Sequence, residues 1–228
     1  MKGDKISIEE IVNHDTVDFE RGYSIIQDRI PFEERSDVLD FISSVNQARR
    51  GELSPDSYHM LVARYDGDVI GVITGYYLSD INCGFINTLA VKIGLEGKNV
   101  GTNLRNELIG RFRRDSNKIG NESLNGVLGE IEEKNPWLKK IVSNPRVFPF
   151  DIKYIQPPLR VDKTGRELVL YLEPDEEIKT IGRDKAVRIV SAIYRNIYDI
   201  EEPEKHHCFK EILKSFESRK YISRKAIN

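Results

Sequence analysis

The sequence predicts a mixed α+β fold: a central, mostly antiparallel twisted sheet flanked by helices, with extra helices at the C-terminal end. Three observations carry this. Residues 59–93 fall into three β-rich runs, and Asp66-Gly67-Asp68 joins the first two, a strong hairpin signal. The stretches on either side, 18–50 and 103–114, change to helical spacing. Beyond residue 174 the spacing is helical again, over 178–198 and 205–220.

Taken in order, Ile6 and Ile8 alternate with polar neighbours and predict a short strand within 5–12. Phe19, Tyr23, Ile26 and Ile30, then Val38, Leu39, Phe41, Ile42 and Val45, predict two helices. Pro31 separates them, because proline lacks an amide hydrogen and clashes with the preceding turn. Ser36 is the expected cap of the second. Strands follow over 59–65, 69–78 and 85–93, then a helix from Asn103 to about Arg114 whose buried stripe is Leu104, Leu108, Ile109 and Phe112. Residues 125–131 predict a strand, and Asn135-Pro136 starts a short helix to Val142. Extended stretches at 146–155 and 167–172 complete the sheet. The predicted organisation is a domain over 1–174 and a helical extension over 175–228 packed on it, with Ile189, Ile193 and Ile197 as its apolar face.

Composition excludes several functions. The 228 residues carry 35 Lys and Arg against 37 Asp and Glu, a net charge of −2, without the basic excess of a nucleic-acid binder. No run approaches the ~18 apolar residues of a membrane span, and the N-terminal residues show no apolar signal segment. Cys83 and Cys208 are the only cysteines, too few for a disulfide framework or a cysteine-rich zinc site. The expectation is a cytoplasmic protein without nucleic-acid or membrane partners.

The segment richest in chemistry runs from Phe85 to Phe112: a strand, a loop bearing Gly94, Gly97 and Gly101, and a helix. The first amides of a helix have no partner within it, and with the helix dipole they form a site for anions such as a pyrophosphate. The simpler alternative is that these glycines only shape a tight turn. Two phosphate motifs do not fit. A Walker loop needs Ser or Thr after Gly-Lys, where this chain has Asn99, and no Gly-x-Gly-x-x-Gly is present.

A third pattern does fit. Residues Leu89-Ala90-Val91 at a strand end, then a loop and Glu96-Gly97-Lys98-Asn99-Val100-Gly101 opening a helix, resemble the coenzyme A motif of the GNAT acyltransferase superfamily, Gln/Arg-x-x-Gly-x-Gly/Ala. Gly101 matches. Glu96 and Asn99 depart from the pattern: Glu96 puts a negative charge where a diphosphate docks, offset by Lys98, and Asn99 is a residue that tolerates the left-handed backbone of a glycine. The resemblance extends over about residues 5–173 in the order of elements. It is closest to bacterial members acting on small molecules, at Ile30 to Arg35, Gly129 to Glu132 and Tyr154 to Leu159.

The resemblance implies an acetyl-CoA-dependent N-acetyltransferase acting by direct attack of an amine, with no metal. Leu89, Ala90 and Val91 would pair with the pantetheine arm. Gly97, Lys98, Asn99, Val100, Gly101, Thr102 and Asn103 would hold the pyrophosphate. The strand over Val127 to Ile131 would diverge from the motif strand and leave a cleft for the thioester. Glu130 is the first candidate for the base that takes the ammonium proton, its alternative reading being an ordinary surface carboxylate beside Glu132 and Glu133. Glu33 and Glu34 would wall the acceptor pocket. The usual tyrosine acid is missing from Trp137 to Asn144, so the thiolate leaves unassisted or Tyr154 or Ser143 replaces it. The acceptor is expected to be a small-molecule amine. The extra helices would pack on the sheet, cover the acceptor site or form a homodimer. Two other readings stand beside this one: a non-catalytic acyl-CoA sensor or interaction module on the same scaffold, and an acyltransferase for longer chains. His206-His207-Cys208 reads as surface residues, with a metal cluster as its alternative, His14 and His59 as isolated, Cys83 as a thiol without a visible base, and Trp137 as packing.

Overall fold

The structure, a computed structural model, describes residues 6–95, 98–160 and 164–227. It is a mixed α+β fold of mostly antiparallel strands flanked by helices, and it divides into two compact units: Met1–Ser79 with Gly84–Ser123, and Asp80–Cys83 with Leu124–Asn228.

In the first unit, strands β1 (Ser7–Glu10), β2 (Ser57–Tyr65), β3 (Asp68–Leu78) and β4 (Cys83–Val91) lie side by side in that order. Glu10 faces Leu61, and Leu61 faces Ile73, in antiparallel register. The β2–β3 turn holds Asp66 at φ 52° and Gly67 at φ 84°, the left-handed pair a two-residue hairpin requires. Helices α1 (Val17–Arg29) and α2 (Val38–Arg50) pack Phe19, Ile25, Ile26, Phe41 and Val45 against Met60, Val62 and Val72. Helix α3 (Val100–Lys118) buries Leu104, Leu108 and Phe112. A Cβ added at Gly71 would lie 3.0 Å from Leu104, and one at Gly75 2.8 Å from Phe112, so bare backbone in β3 sets how closely this helix approaches.

The second unit contains β5 (Gly126–Ile131), α4 (Pro136–Val142), β6 (Phe148–Pro149), β7 (Tyr154–Gln156), β8 (Arg166–Glu173), β9 (Thr180–Gly182), α5 (Arg183–Asn196), α6 (His207–Lys214) and β10 (Tyr221–Ser223). Strand β8 pairs antiparallel with β5, β6 and β7, and β9 pairs with β10. Asn135 caps α4 by accepting from the Trp137 amide at 2.9 Å, with Pro136 in the first turn as expected. Trp137 packs with Ile141, Val147 and Tyr171. Ile189 and Ile193 are buried in α5, and Ile197 is half-buried.

The structure corrects three boundaries. Asp37, not Ser36, caps α2: its carboxylate accepts from the Leu39 amide at 3.2 Å while Asp40 accepts from the Asp37 amide at 2.9 Å. A carboxylate also gains from the positive end of the helix, which a serine hydroxyl does not. Helix α3 begins at Val100 and ends at Lys118, one turn longer at each end than predicted. The tail is less helical than its spacing implied, since 180–182 is a strand paired with 221–223 and α6 ends at Lys214. β-Branched Thr180 and Ile181, followed by Gly182, favour extended backbone there.

Candidate active site

Strand alternation puts Tyr154 and Gln156 on one face of β7. Both reach Glu130 on β5. The Tyr154 hydroxyl donates to Glu130 Oε2 at 2.6 Å, and the Gln156 amide donates to Oε1 at 2.7 Å. The Tyr198 hydroxyl, just past α5, also donates to Oε1, and accepts from Gln156 at 3.0 Å. Tyr198 stands edge-on to Tyr194, whose hydroxyl donates to the Ile155 carbonyl. One carboxylate therefore accepts three hydrogen bonds, two from β7 and one from the helical extension.

Burial pushes the Glu130 carboxyl above its ordinary value, and the bonds from Tyr154, Tyr198 and Gln156 and the charge of Arg166 oppose that without cancelling it. Burial and the adjacent Glu130 charge push Tyr154 and Tyr198 well above the usual phenol value, so both remain donors. The neighbouring acids differ. Glu132 pairs with Arg166, and Glu133 with Lys225 at 3.1 Å, both at exposed positions.

Of the residues read for coenzyme A, Leu89, Ala90 and Val91 end β4, with Ala90 buried and the other two half-buried. Asn99 is the first cap of α3 at φ 61°, in the left-handed region, and its carbonyl accepts from the Asn103 amide at 2.9 Å. Its side chain makes no cap bond, and no acidic residue stands in the first turn of α3. The amides of Val100, Gly101 and Thr102 thus begin the helix without partners inside it. A Cβ added at Gly101 would lie 3.6–4.0 Å from Leu89 and Val91, while Lys98, Thr102 and Asn103 are exposed. This donor set fits a diphosphate. Glu96 and Gly97 lie outside the described residues.

Glu33 and Glu34 lie in a single 3₁₀ turn, Phe32–Glu34, after α1. Arg35 steadies it by donating to the Ile30 carbonyl at 2.8 Å. Ser143 ends α4 and donates to the Lys140 carbonyl at 2.7 Å. Cys83 is buried, which pushes its thiol up to about 12 and keeps it protonated.

Sequence reasoning missed two members of the Glu130 cluster. Gln156 stands two residues after Tyr154, and period two in an extended stretch was the available signal. Tyr198 had none, because its position depends on how α5 folds back. His59 was read as isolated, yet its Nδ1 lies 2.5 Å from Glu10 and its Nε2 2.6 Å from Asp115, beside a cavity of about 350 Å³.

The sequence model of the "Acetyltransferase (GNAT) family" matches residues 10–123, half of the chain. Among solved structures, a GNAT-family protein from Bacteroides thetaiotaomicron superposes with a TM-score of 0.63 at 12% identity, covering 86% of this chain and 99% of that one. The ribosomal-protein-S18-alanine N-acetyltransferase of Escherichia coli gives 0.53 at 15%, covering 76% and 96%. Ard1 of Thermoplasma volcanium gives 0.50 at 18%, covering 75% and 99%. These likenesses concern the fold. Comparison with curated proteins finds no match. With the family model spanning β2 to β4 and α1 to α3, the chain belongs to the GNAT acetyltransferase family.

Proposed function

We propose that this protein transfers the acetyl group of acetyl-CoA to the amine of a small molecule by direct attack, with Glu130 as the base. Acetyl-CoA supplies the acyl group as a thioester. Leu89, Ala90 and Val91 would take its pantetheine arm, and Lys98 to Asn103, with Gly97, its pyrophosphate. The observation that carries the reading is the Glu130 cluster: a carboxylate raised by burial accepts a proton more readily at neutral pH than an exposed one. Glu130 takes the ammonium proton, the amine nitrogen bonds to the acyl carbon, and the carbon–sulfur bond breaks. A thiolate with a pKa of about 8.5 leaves without an acid. Tyr154, committed to Glu130 Oε2, orients the base. Glu33 and Glu34 would meet the cationic acceptor. We retain 1–174 as the acyltransferase domain and 175–228 as its extension, which contributes Tyr198.

The sensor reading is supported by Glu96 and Asn99, which depart from the coenzyme A motif, and by the lack of a tyrosine between Trp137 and Asn144. Calorimetric titration with acetyl-CoA and CoA, beside a screen of amines for thiol release, separates the two. Binding with acceptor-dependent release supports the transferase. Binding without release across the screen supports the sensor, and absence of binding removes both.

A further inference from the structure

We propose that His206, His207 and Cys208 form a binding site for a divalent transition-metal ion of the zinc class. Three consecutive side chains cannot converge within a regular helix, where successive residues turn by about 100°. Here the chain changes conformation between them. His206 is extended, at φ −75° and ψ 135°, and α6 starts at His207. The backbone is pinned on both sides of the change: the His206 amide donates to Pro203 at 2.9 Å, and its carbonyl accepts from Lys210 at 3.1 Å.

The side chains converge as a result. Cys208 Sγ lies 3.2 Å from His207 Nε2, the two imidazole centroids are 4.6 Å apart, and one ligand atom from each residue lies within 4.8 Å of the others. Tetrahedral zinc, with bonds of about 2.0–2.1 Å to nitrogen and 2.3 Å to sulfur, sets its ligand atoms about 3.3–3.7 Å apart. Closing that gap takes rotation of an exposed ring, since His207 is on the surface.

The other two ligands are held. Cys208 is 3% exposed, and a Cβ added at Gly165 would stand 2.7 Å from its sulfur, so backbone fixes the thiol from that side. The His206 ring stands edge-on to buried Tyr194, 6.0 Å between centroids. Its Nδ1 accepts from the Cys208 amide at a long 3.3 Å, the bond that coordination through this atom would displace. On binding, the thiol gives its proton to solvent, and a thiolate with two neutral imidazoles selects zinc, cobalt or copper over magnesium and calcium. Three protein ligands leave one tetrahedral position to water.

The test is titration of the reduced, chelator-treated full chain with Co²⁺, read by the thiolate-to-cobalt charge-transfer band, then displacement with Zn²⁺. The expected result is saturation at one equivalent and loss of the band in Cys208→Ser. His207→Ala, at an exposed position and checked for folding by circular dichroism, weakens binding by about tenfold or more. Cys83→Ser leaves the titration unchanged. If Cys208→Ser does not fold, His207→Ala and His206→Gln decide. No band in the wild-type chain, a band that persists in Cys208→Ser, or undiminished affinity in both histidine variants overturns the site.

Discussion

Gly84 and Phe112 are in direct contact, and a Cβ built on Gly84 would lie 2.0 Å from the Phe112 ring. Phe112 is fully buried on α3 and cannot swing clear. Gly84→Ala is therefore expected to cost about 1–3 kcal/mol by overpacking. Urea unfolding should show a lower midpoint, and Phe112→Leu should recover part of it in the double variant. Additive losses would place the strain elsewhere.

Glu130→Gln keeps the shape of the cluster and removes the proposed base. Turnover should fall by about 10²–10⁴ while acetyl-CoA affinity, measured by calorimetry, stays within a factor of about two. Unchanged turnover would exclude Glu130 from proton transfer.

Tyr198→Phe removes a donor to the ionised form of Glu130, so the carboxyl should rise further from its ordinary value. The acid limb of the kcat/KM profile then moves to higher pH, because the base must be deprotonated to act. An unmoved limb with lower turnover would indicate packing alone.

His59 links pH to stability. Burial lowers its pKa, but the hydrogen bonds it donates to Asp115 and Glu10 and their charges outweigh burial, and the net direction is up. Burial raises Glu10 and Asp115, while His59, with Arg111 near Glu10 and Lys118 and Ser57 at Asp115, brings both below their ordinary values. The histidine contribution is complete below its unfolded pKa of about 6.5 and is lost as pH rises through its folded value. The carboxylate contribution is complete above about pH 4 and is lost as pH falls through the folded values. Stability should therefore peak between these limits and decline toward pH 8. His59→Gln should flatten the decline and cost about 3 kcal/mol at pH 6, the low end for breaking a buried ion pair, since Arg111 and Lys118 still face the carboxylates. Denaturant unfolding across pH 5 to 8 measures both.

Asn99 holds a left-handed backbone at the start of α3. Asn99→Gly should preserve acetyl-CoA binding, whereas Asn99→Val should lose about 1–2 kcal/mol of stability and weaken binding by distorting the first helical turn. Equal affinity in the two variants would separate the loop from the nucleotide.

Strands β2 to β5 and α3 were legible because they rest on local signals: the Asp-Gly pair, alternation, and a helical stripe ending in Phe112. Glu130 and Tyr154 were named separately, and their contact was not readable, since it depends on the register of β5 and β7 against β8. Tyr198 and the His59 bridge were invisible for the same reason: each joins residues 49 to 68 positions apart through tertiary packing alone. The tail misled because short strands β9 and β10 are stabilised by each other rather than by their own spacing.

That pairing also orders the events of synthesis. Ile181 meets Ile222, the Arg224 bridge to Phe150 follows, and α5, Tyr198 and α6 lie in the loop these contacts close. On a ribosome, the second unit cannot complete until nearly all of it has emerged, so the third donor to Glu130 is secured last. Nascent chains stalled short of Tyr221 would carry the Glu130 carboxylate with its Tyr198 lock not yet fastened.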